Sequence, residues 1–333
     1  MTGFQHGRGF LLTLFVPEPL TYTRPMRLRV GAARNDVVRE SCDMTVGSRL
    51  KQYALLMRLH RPIGIFLLLW PALWGLWVSA QGQPDPFIVM VFVLGVIVTR
   101  SAGCVINDYA DRNFDPHVRR TRDRPLAAGR LTSTEALLLF VGLSLLAFVL
   151  VLQLNRFTIA LSVVAIFLAA SYPFLKRRTH LPQFYLGAAF GWAILMAFAA
   201  QTNTLPPIAW VMFVANIFWA VAYDTQYSMV DRDDDLRIGV KSTAILFGSY
   251  DRLMIGLAHA VSLALLVVVG MLAGLGFIYY IGLAAAAGFA IYQQELTRDR
   301  EHDACFRAFL NNSWFGAAVF AGLFFHYLLA RVP

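Results

Sequence analysis

Nine apolar stretches, each about 18 residues or longer, recur along most of this chain, at roughly 62–81, 86–106, 134–153, 157–175, 181–200, 207–226, 253–273, 276–294 and 312–330. A run of that length crosses a hydrocarbon layer of about 30 Å as a helix. The composition agrees: 58% of residues are hydrophobic and only 15% charged, with mean hydropathy +0.57. A soluble chain is typically about half apolar and about a quarter charged. Pro62, Pro86, Pro182 and Pro207 stand near expected span starts, where a missing N–H costs little. Pro71 and Pro173 fall inside spans, a kink that neighbouring helices in a membrane bundle tolerate. Cys42, Cys104 and Cys305 are far apart, form no CxxC pair, and read as apolar fillers.

The net charge of +9 would suggest nucleic acid in a soluble protein. Here the cations follow the spans instead. With the N-terminus on the cytoplasmic side, the inside segments 1–61, 107–133, 176–180, 227–252 and 295–311 hold 26 of the 29 Lys and Arg. The outside segments hold Arg156 and Arg331, and Arg100 lies within a span. This asymmetry obeys the positive-inside rule. It supports nine spans, an inside N-terminus, an outside C-terminus and no nucleic-acid partner. A bacterial inner membrane fits better than a mitochondrial one.

Residues 1–47 carry six Arg, three Pro and no span. The run from Phe10 to Val16 is short for a signal-peptide core, and Glu18, Asp36, Glu40 and Asp43 argue against a mitochondrial presequence. This segment reads as a disordered extension, or as the product of a start placed upstream of Met44. Residues 48–61 set Leu50, Tyr53, Ala54 and Met57 on one face, with Arg49, Lys51, Arg58 and Arg61 largely elsewhere. That predicts a helix lying on the membrane surface, followed by a transmembrane domain over 62–330.

The acids are the informative residues. One cluster, Asn107-Asp108-Tyr-Ala-Asp111-Arg-Asn-Phe-Asp115, ends the second span. Another, Asp224-Thr-Gln-Tyr227-Ser-Met-Val-Asp231-Arg-Asp-Asp-Asp235, ends the sixth. Positions i, i+4 and i+8 advance by only about 40° per step round a helix, so Asn107, Asp111 and Asp115 share a face with Asp108 beside it. Asp224, Tyr227, Asp231 and Asp235 form a second stripe, while Asp233 and Asp234 point elsewhere, into solvent. Crowded carboxylates stay ionised only among cations. Hard oxygen donors suit Mg²⁺, which takes one or two carboxylates, waters and substrate phosphates. Asp108, Asp111, Asp115, Asp231 and Asp235 are therefore candidate metal ligands around a diphosphate. Asp111 to Asp231 and Asp115 to Asp235 are each 120 residues apart, which hints at two similar Asp-rich halves.

A diphosphate also needs protein cations. Arg124, Lys176 and Lys241 are the candidates for phosphate contact, with Arg177 beside Lys176. Arg119, Arg120, Arg122 and Arg178 read as topological charges of a cytoplasmic loop. Arg100 lies seven residues before Asn107, on nearly the same face, and an intramembrane Arg usually serves a cavity. Asn216 and Asn155 read as helix-packing or span-end residues.

These stretches resemble a known family. Asn107-Asp108-x-x-Asp111-x-x-x-Asp115 matches the NDxxDxxxD signature of the UbiA superfamily of intramembrane prenyltransferases, and Asp224-x-x-Tyr227-x-x-x-Asp231-x-x-x-Asp235 matches its partner. RPIGIFLLLWPALWGLW, LGAAFGW and ACFRAFLNN extend the likeness over about residues 48–330, closest to the members that act on 4-hydroxybenzoate. The resemblance implies an all-α polytopic bundle of nine helices around a central cavity, capped on the cytoplasmic side and open sideways to lipid. It implies transfer of a polyprenyl chain from polyprenyl diphosphate to 4-hydroxybenzoate, a step of ubiquinone biosynthesis, with Mg²⁺ as cofactor. Asp111, Asp115, Asp231, Asp235, Asp224 and Arg100 become catalytic candidates. Asn107, Tyr227, Arg124, Lys176, Arg177 and Lys241 become diphosphate-binding ones. Arg100 and Arg58 are candidates for the acceptor carboxylate, and Asp231 or Asp224 for the ring proton. Another acceptor, or a cation pathway through the aspartates, remains an alternative at this stage.

Overall fold

The computed structural model describes residues 45–117, 120–175, 179–239 and 241–330, so nearly all of the extension at 1–47 lies outside the described residues. Among these residues every regular element is helical. The order is α1 (Val46–Leu56), α2 (Ile63–Ser79), α3 (Pro86–Asp111), α4 (Ser133–Val151), α5 (Arg156–Leu175), α6 (Pro182–Thr202), α7 (Pro207–Ile238), α8 (Thr243–Phe247), α9 (Asp251–Leu272), α10 (Phe277–Leu296) and α11 (His302–Leu329).

A helix stands at each of the nine expected positions. Among the described residues six segments are long and apolar enough to cross a membrane by length and composition: Pro86–Asp111, Ser133–Val151, Pro182–Thr202, Pro207–Arg237, Thr243–Leu272 and His302–Leu329. The apolar helices Ile63–Ser79 and Arg156–Tyr172 are shorter. α4 buries only Ala136 and Val151, and turns Leu138, Val141 and Leu145 outward. Apolar surface of that extent needs lipid, not water. The chain is a multi-pass membrane protein.

Helix ends follow local chemistry. Asp85 caps α3, its side chain accepting from the Phe87 amide at 2.7 Å with Pro86 at the first helical position. Thr132 and Glu135 close a capping box on α4, each satisfying an amide the helix leaves open. Asn155 accepts from the Thr158 amide at 2.9 Å, which makes it the start signal of α5. Gly239 ends α7 in the left-handed region, at φ 74°.

The helices close into a ring in which α2 packs on α3, α6 and α11, and α7 on α6, α9 and α11. α4 leans on α3, and α5 on α6, so α4 and α5 barely touch. LGAAFGW supplies a close approach between α6 and α7. A Cβ on Gly187 would lie 2.8 Å from Ile217 Cα, and Asn216 donates to the Gly187 carbonyl at 3.0 Å. Asn216 is thus a packing residue, as its position suggested. Gly187→Leu is expected to lower stability by about 2 kcal/mol through overpacking, read as a lower melting temperature in detergent.

The helix expected over 48–61 ends earlier than its sequence suggested. It stops at Leu56, and Arg58 takes φ 57°. That left-handed turn redirects the chain so that Leu56 is fully buried while Leu50 is 61% exposed. Tyr53 Oη donates to Glu135 at 3.1 Å and Arg49 pairs with the same carboxylate at 3.2 Å, pinning α1 to the start of α4.

Candidate active site

A cavity of about 690 Å³ lies inside the ring, and both acid stripes line it. The first comes from α3 and the turn after it, the second from α7. Asn107, Asp108, Asp111, Asp115, Asp224, Tyr227, Asp231, Asp235 and Lys241 all face it, with Arg100 and Arg124. Asp108, Asp111 and Asp115 are buried. Helical spacing explains the convergence of Asn107, Asp108 and Asp111 on α3 with Asp224, Tyr227, Asp231 and Asp235 on α7, but not that of Asp115: α3 ends at Asp111, and the short turn that follows, not a shared helix face, brings Asp115 in. Asp233 is exposed, and Asp234 pairs with Arg237 at 3.7 Å. Lys176 and Arg177 lie outside the described residues, as do Arg119 and Arg178.

Arginines neutralise this floor. Arg124 Nη1 donates at 2.9 Å to both Asp108 and Asp115, bridging them. Arg58, delivered by the left-handed turn, donates to Asp108 as well. Arg120 forms a two-pronged pair with Asp231, Nε to Oδ1 at 2.8 Å and Nη2 to Oδ2 at 2.5 Å. Its guanidinium also lies 4.8 Å from the centre of the Tyr227 ring. This corrects the topological reading of Arg120: a loop charge becomes the link between the two halves of the site. Arg122 does read as a surface charge, exposed beside Asp123. Burial pushes the Asp115 carboxyl above its usual range against the pull of Arg124, and repulsion from Asp108 and Asp111 adds to it.

Among the described residues no three acidic, His or Cys groups converge on one point as a ready cation site. The donor set still fits a hard divalent ion. It is carboxylate with one amide, without thiol or imidazole among the candidate ligands, and Mg²⁺ completes its shell with water and phosphate oxygens. The arginines now supply the positive charge that such an ion and its diphosphate would share.

Above the charged floor the cavity becomes apolar. Phe140, Phe148, Ile166, Phe190, Trp192 and Met196 line it between α4, α5 and α6. At the boundary sits Arg100, whose Nε is buried without a hydrogen-bond partner. Gly64 makes room for it, since a Cβ there would lie 2.2 Å from that nitrogen. Tyr172 and Tyr223 lie within electrostatic reach of Asp224 and Arg100. The sequence reading missed Gln183, which donates to Ser228 at 2.8 Å and accepts from the Thr243 amide at 3.2 Å on the cavity wall. No sequence signal marks it. It also missed Phe306 and Phe309, cavity residues on α11 whose rings lie 6.4 and 4.7 Å from Tyr227. ACFRAFLNN contains both, and its likeness to the family was the available hint.

Comparison with known proteins adds an independent line. The model of the UbiA prenyltransferase family matches residues 68–328. The chain is 63% identical over 286 residues to a 4-hydroxybenzoate octaprenyltransferase of Methylococcus capsulatus, covering 86% of this chain and 98% of that one. It is 64% identical over 282 residues to the protein of that name from Nitrosococcus oceani, covering 85% and 99%. Among solved structures, a UbiA homologue from Aeropyrum pernix K1 superposes with TM-score 0.68 at 25% identity, covering 77% of this chain and 96% of that one. A UbiA homologue from Archaeoglobus fulgidus, solved bound to GPP and Mg²⁺, shares the fold at TM-score 0.63 and 16% identity, covering 82% and 99%.

Proposed function

Because the chain belongs to the UbiA prenyltransferase family, we propose that it transfers a polyprenyl chain from polyprenyl diphosphate to the carbon ortho to the hydroxyl of 4-hydroxybenzoate, as a step of ubiquinone biosynthesis. The observation that carries this reading is a cavity that joins an Asp- and Arg-lined floor to an apolar wall. One substrate with a multiply charged head and a hydrocarbon tail matches that polarity. The 56–64% identity to relatives bearing the 4-hydroxybenzoate name supports the acceptor.

In this reading Asp108, Asp111, Asp115, Asp231 and Asp235 would hold Mg²⁺, which would supply positive charge to the departing diphosphate. Arg124, Lys241 and Arg120 bind the diphosphate oxygens with Lys176 and Arg177, and Asn107 and Tyr227 orient it. Positive charge held at those oxygens weakens the C1–O bond. The allylic cation left behind is kept from water by the apolar wall, and the faces of Tyr227 and its aromatic neighbours stabilise it. Arg100 takes the acceptor carboxylate. The phenol ring carbon forms the new C–C bond, and Asp231 or Asp224 accepts the ring proton as aromaticity returns. The domain over 62–330 lies in the inner membrane as nine spans in two related halves, with α1 on the surface and the carboxylate floor cytoplasmic.

The acceptor role of Arg100 has its own test. Gly64→Ala is expected to raise KM for 4-hydroxybenzoate about tenfold, the loss of one charge-assisted hydrogen bond, and to leave KM for the prenyl diphosphate unchanged. Initial-rate kinetics with each substrate varied in turn decide this.

The reaction itself is tested with washed membranes containing the protein, 4-hydroxybenzoate, a polyprenyl diphosphate and Mg²⁺. The expected result is the 3-polyprenyl product by mass, lost on chelation. Product with a different aromatic acceptor and none with 4-hydroxybenzoate would overturn the substrate.

A further inference from the structure

The stripe Asp224, Tyr227, Asp231 and Asp235 works only if α7 is rotated so that it faces the cavity. At about 100° per residue, a slip of one position would carry Asp231 out of the site. Apolar packing resists such a slip weakly, because α7 is apolar on several faces: Trp219, Ala220, Val221, Ala222 and Tyr223 are consecutive and all buried.

The opposite face of α7 carries two polar groups. Trp219 and Gln226 are seven residues apart, hence on one face, and that face lies roughly opposite the stripe. Both are fully buried and both bond to Asn312 of α11. Trp219 Nε1 donates to Asn312 Oδ1 at 3.0 Å, and Asn312 Nδ2 donates to Gln226 Oε1 at 2.8 Å. Gln226 Nε2 donates to Gln293 Oε1 of α10 at 3.2 Å, and Gln293 Nε2 to Asn311 Oδ1 at 3.0 Å. His259 Nε2 of α9 lies 3.4 Å from the same Asn312 oxygen. The asparagine thus joins three helices directly, and through Gln226 and Gln293 the network reaches a fourth, α10. The helix that bears it also presents Phe306 and Phe309 to Tyr227.

We infer that Asn312 is a positioning residue for the transfer reaction, which through Trp219 and Gln226 sets the rotation of α7 and so aims its acid stripe into the cavity. A buried amide left without its partner costs about 1–3 kcal/mol, so every rotation of α7 except the observed one is penalised. The network touches no substrate, and its effect on chemistry runs through Asp231 and Tyr227. A displacement of about 1 Å at reacting groups can cost on the order of a hundredfold in rate.

This inference rests on the transfer reaction proposed above, and the test separates the two. Asn312→Leu and the double variant Gln226→Leu/Asn312→Leu are compared with the unaltered protein. The double variant removes both ends of the Asn312–Gln226 bond and leaves Trp219 Nε1 and Gln293 Oε1 without those partners, so its melting temperature is read beside its kinetics. Melting temperature, kcat and KM per folded enzyme, and calorimetric binding of inorganic diphosphate with Mg²⁺ are measured. The expected result is folded protein, a fall in kcat of tenfold or more in both variants, weaker Mg²⁺-dependent diphosphate binding, and unchanged KM for 4-hydroxybenzoate. Wild-type kcat in a folded variant would overturn the inference, and so would failure of both variants to fold, which would make the network a folding requirement. An unaltered protein without transferase activity would sink the proposed reaction instead. The calorimetric comparison then decides the inference alone: undiminished binding in the variants overturns it.

Discussion

Asp111→Ala and Asp231→Ala are each expected to lower prenyl transfer by about a thousandfold or more, with the protein still folded. Each removes a carboxylate from a different stripe of one cavity. Losing a single group that stabilises developing charge typically costs about 10²–10³ in kcat, and the loss of a proposed metal ligand would add to that. The two variants also differ in a diagnostic way. Asp231 holds Arg120 in a two-pronged pair, so its removal releases a cation toward the diphosphate. Asp231→Ala is therefore expected to retain diphosphate binding better than Asp111→Ala while losing turnover equally. Product formation by mass and calorimetric diphosphate binding on the same preparations check this. Activity that survives both substitutions would mean the carboxylates do not carry the reaction.

The largest effect on stability is expected from Asp251→Ala. Asp251 starts α9 with no exposed side-chain surface. It pairs with Arg232 of α7 and with Arg300 at 2.9 Å, and it accepts from the Arg252 amide at 2.6 Å. The Arg300 guanidinium is raised further above its ordinary range, chiefly by its hydrogen bonds to Asp251. Removing one partner of a buried ion pair strands the other and typically costs 3–5 kcal/mol. Arg300 is partly exposed, which places the expected loss near the lower end, at about 3 kcal/mol. Thermal unfolding in detergent reads it directly. Arg232 adjoins Asp231, so the same variant is expected to lose turnover beyond its loss of folded protein. An unchanged melting temperature would show that the cluster contributes no net stability.

Much of the fold is written locally. Apolar runs, Pro86, Pro182 and Pro207 at helix starts, and Gly239 at a helix end mark elements through nearest-neighbour chemistry, and the helices fall where those marks predict. The second acid stripe is legible for the same reason: Asp231 and Asp235 share a face because a helix has a fixed period, whereas α3 ends at Asp111 and Asp115 reaches the cavity from the short turn after it. The direction of each stripe was not written there. α7 is apolar on several sides, so its rotation depends on Asn312, which lies 86 residues from Gln226. Arg58 shows the same limit. A helix continued through residue 61 would send it elsewhere, and the left-handed turn at that residue brings it to Asp108, 50 residues along the chain. Arg120 and Arg122 stand two apart in one basic loop, yet one pairs with Asp231 and the other reaches the surface.

By itself, then, the sequence determined an all-helical membrane chain with two carboxylate stripes at helix ends, because period, hydropathy and loop charge act over a few residues. The tertiary structure alone decided which arginine neutralises which aspartate, which way α7 turns, and how α4 and α5 leave an apolar wall beside the charged floor. Those outcomes depend on directional contacts between segments far apart in the chain, and no local pattern encodes them.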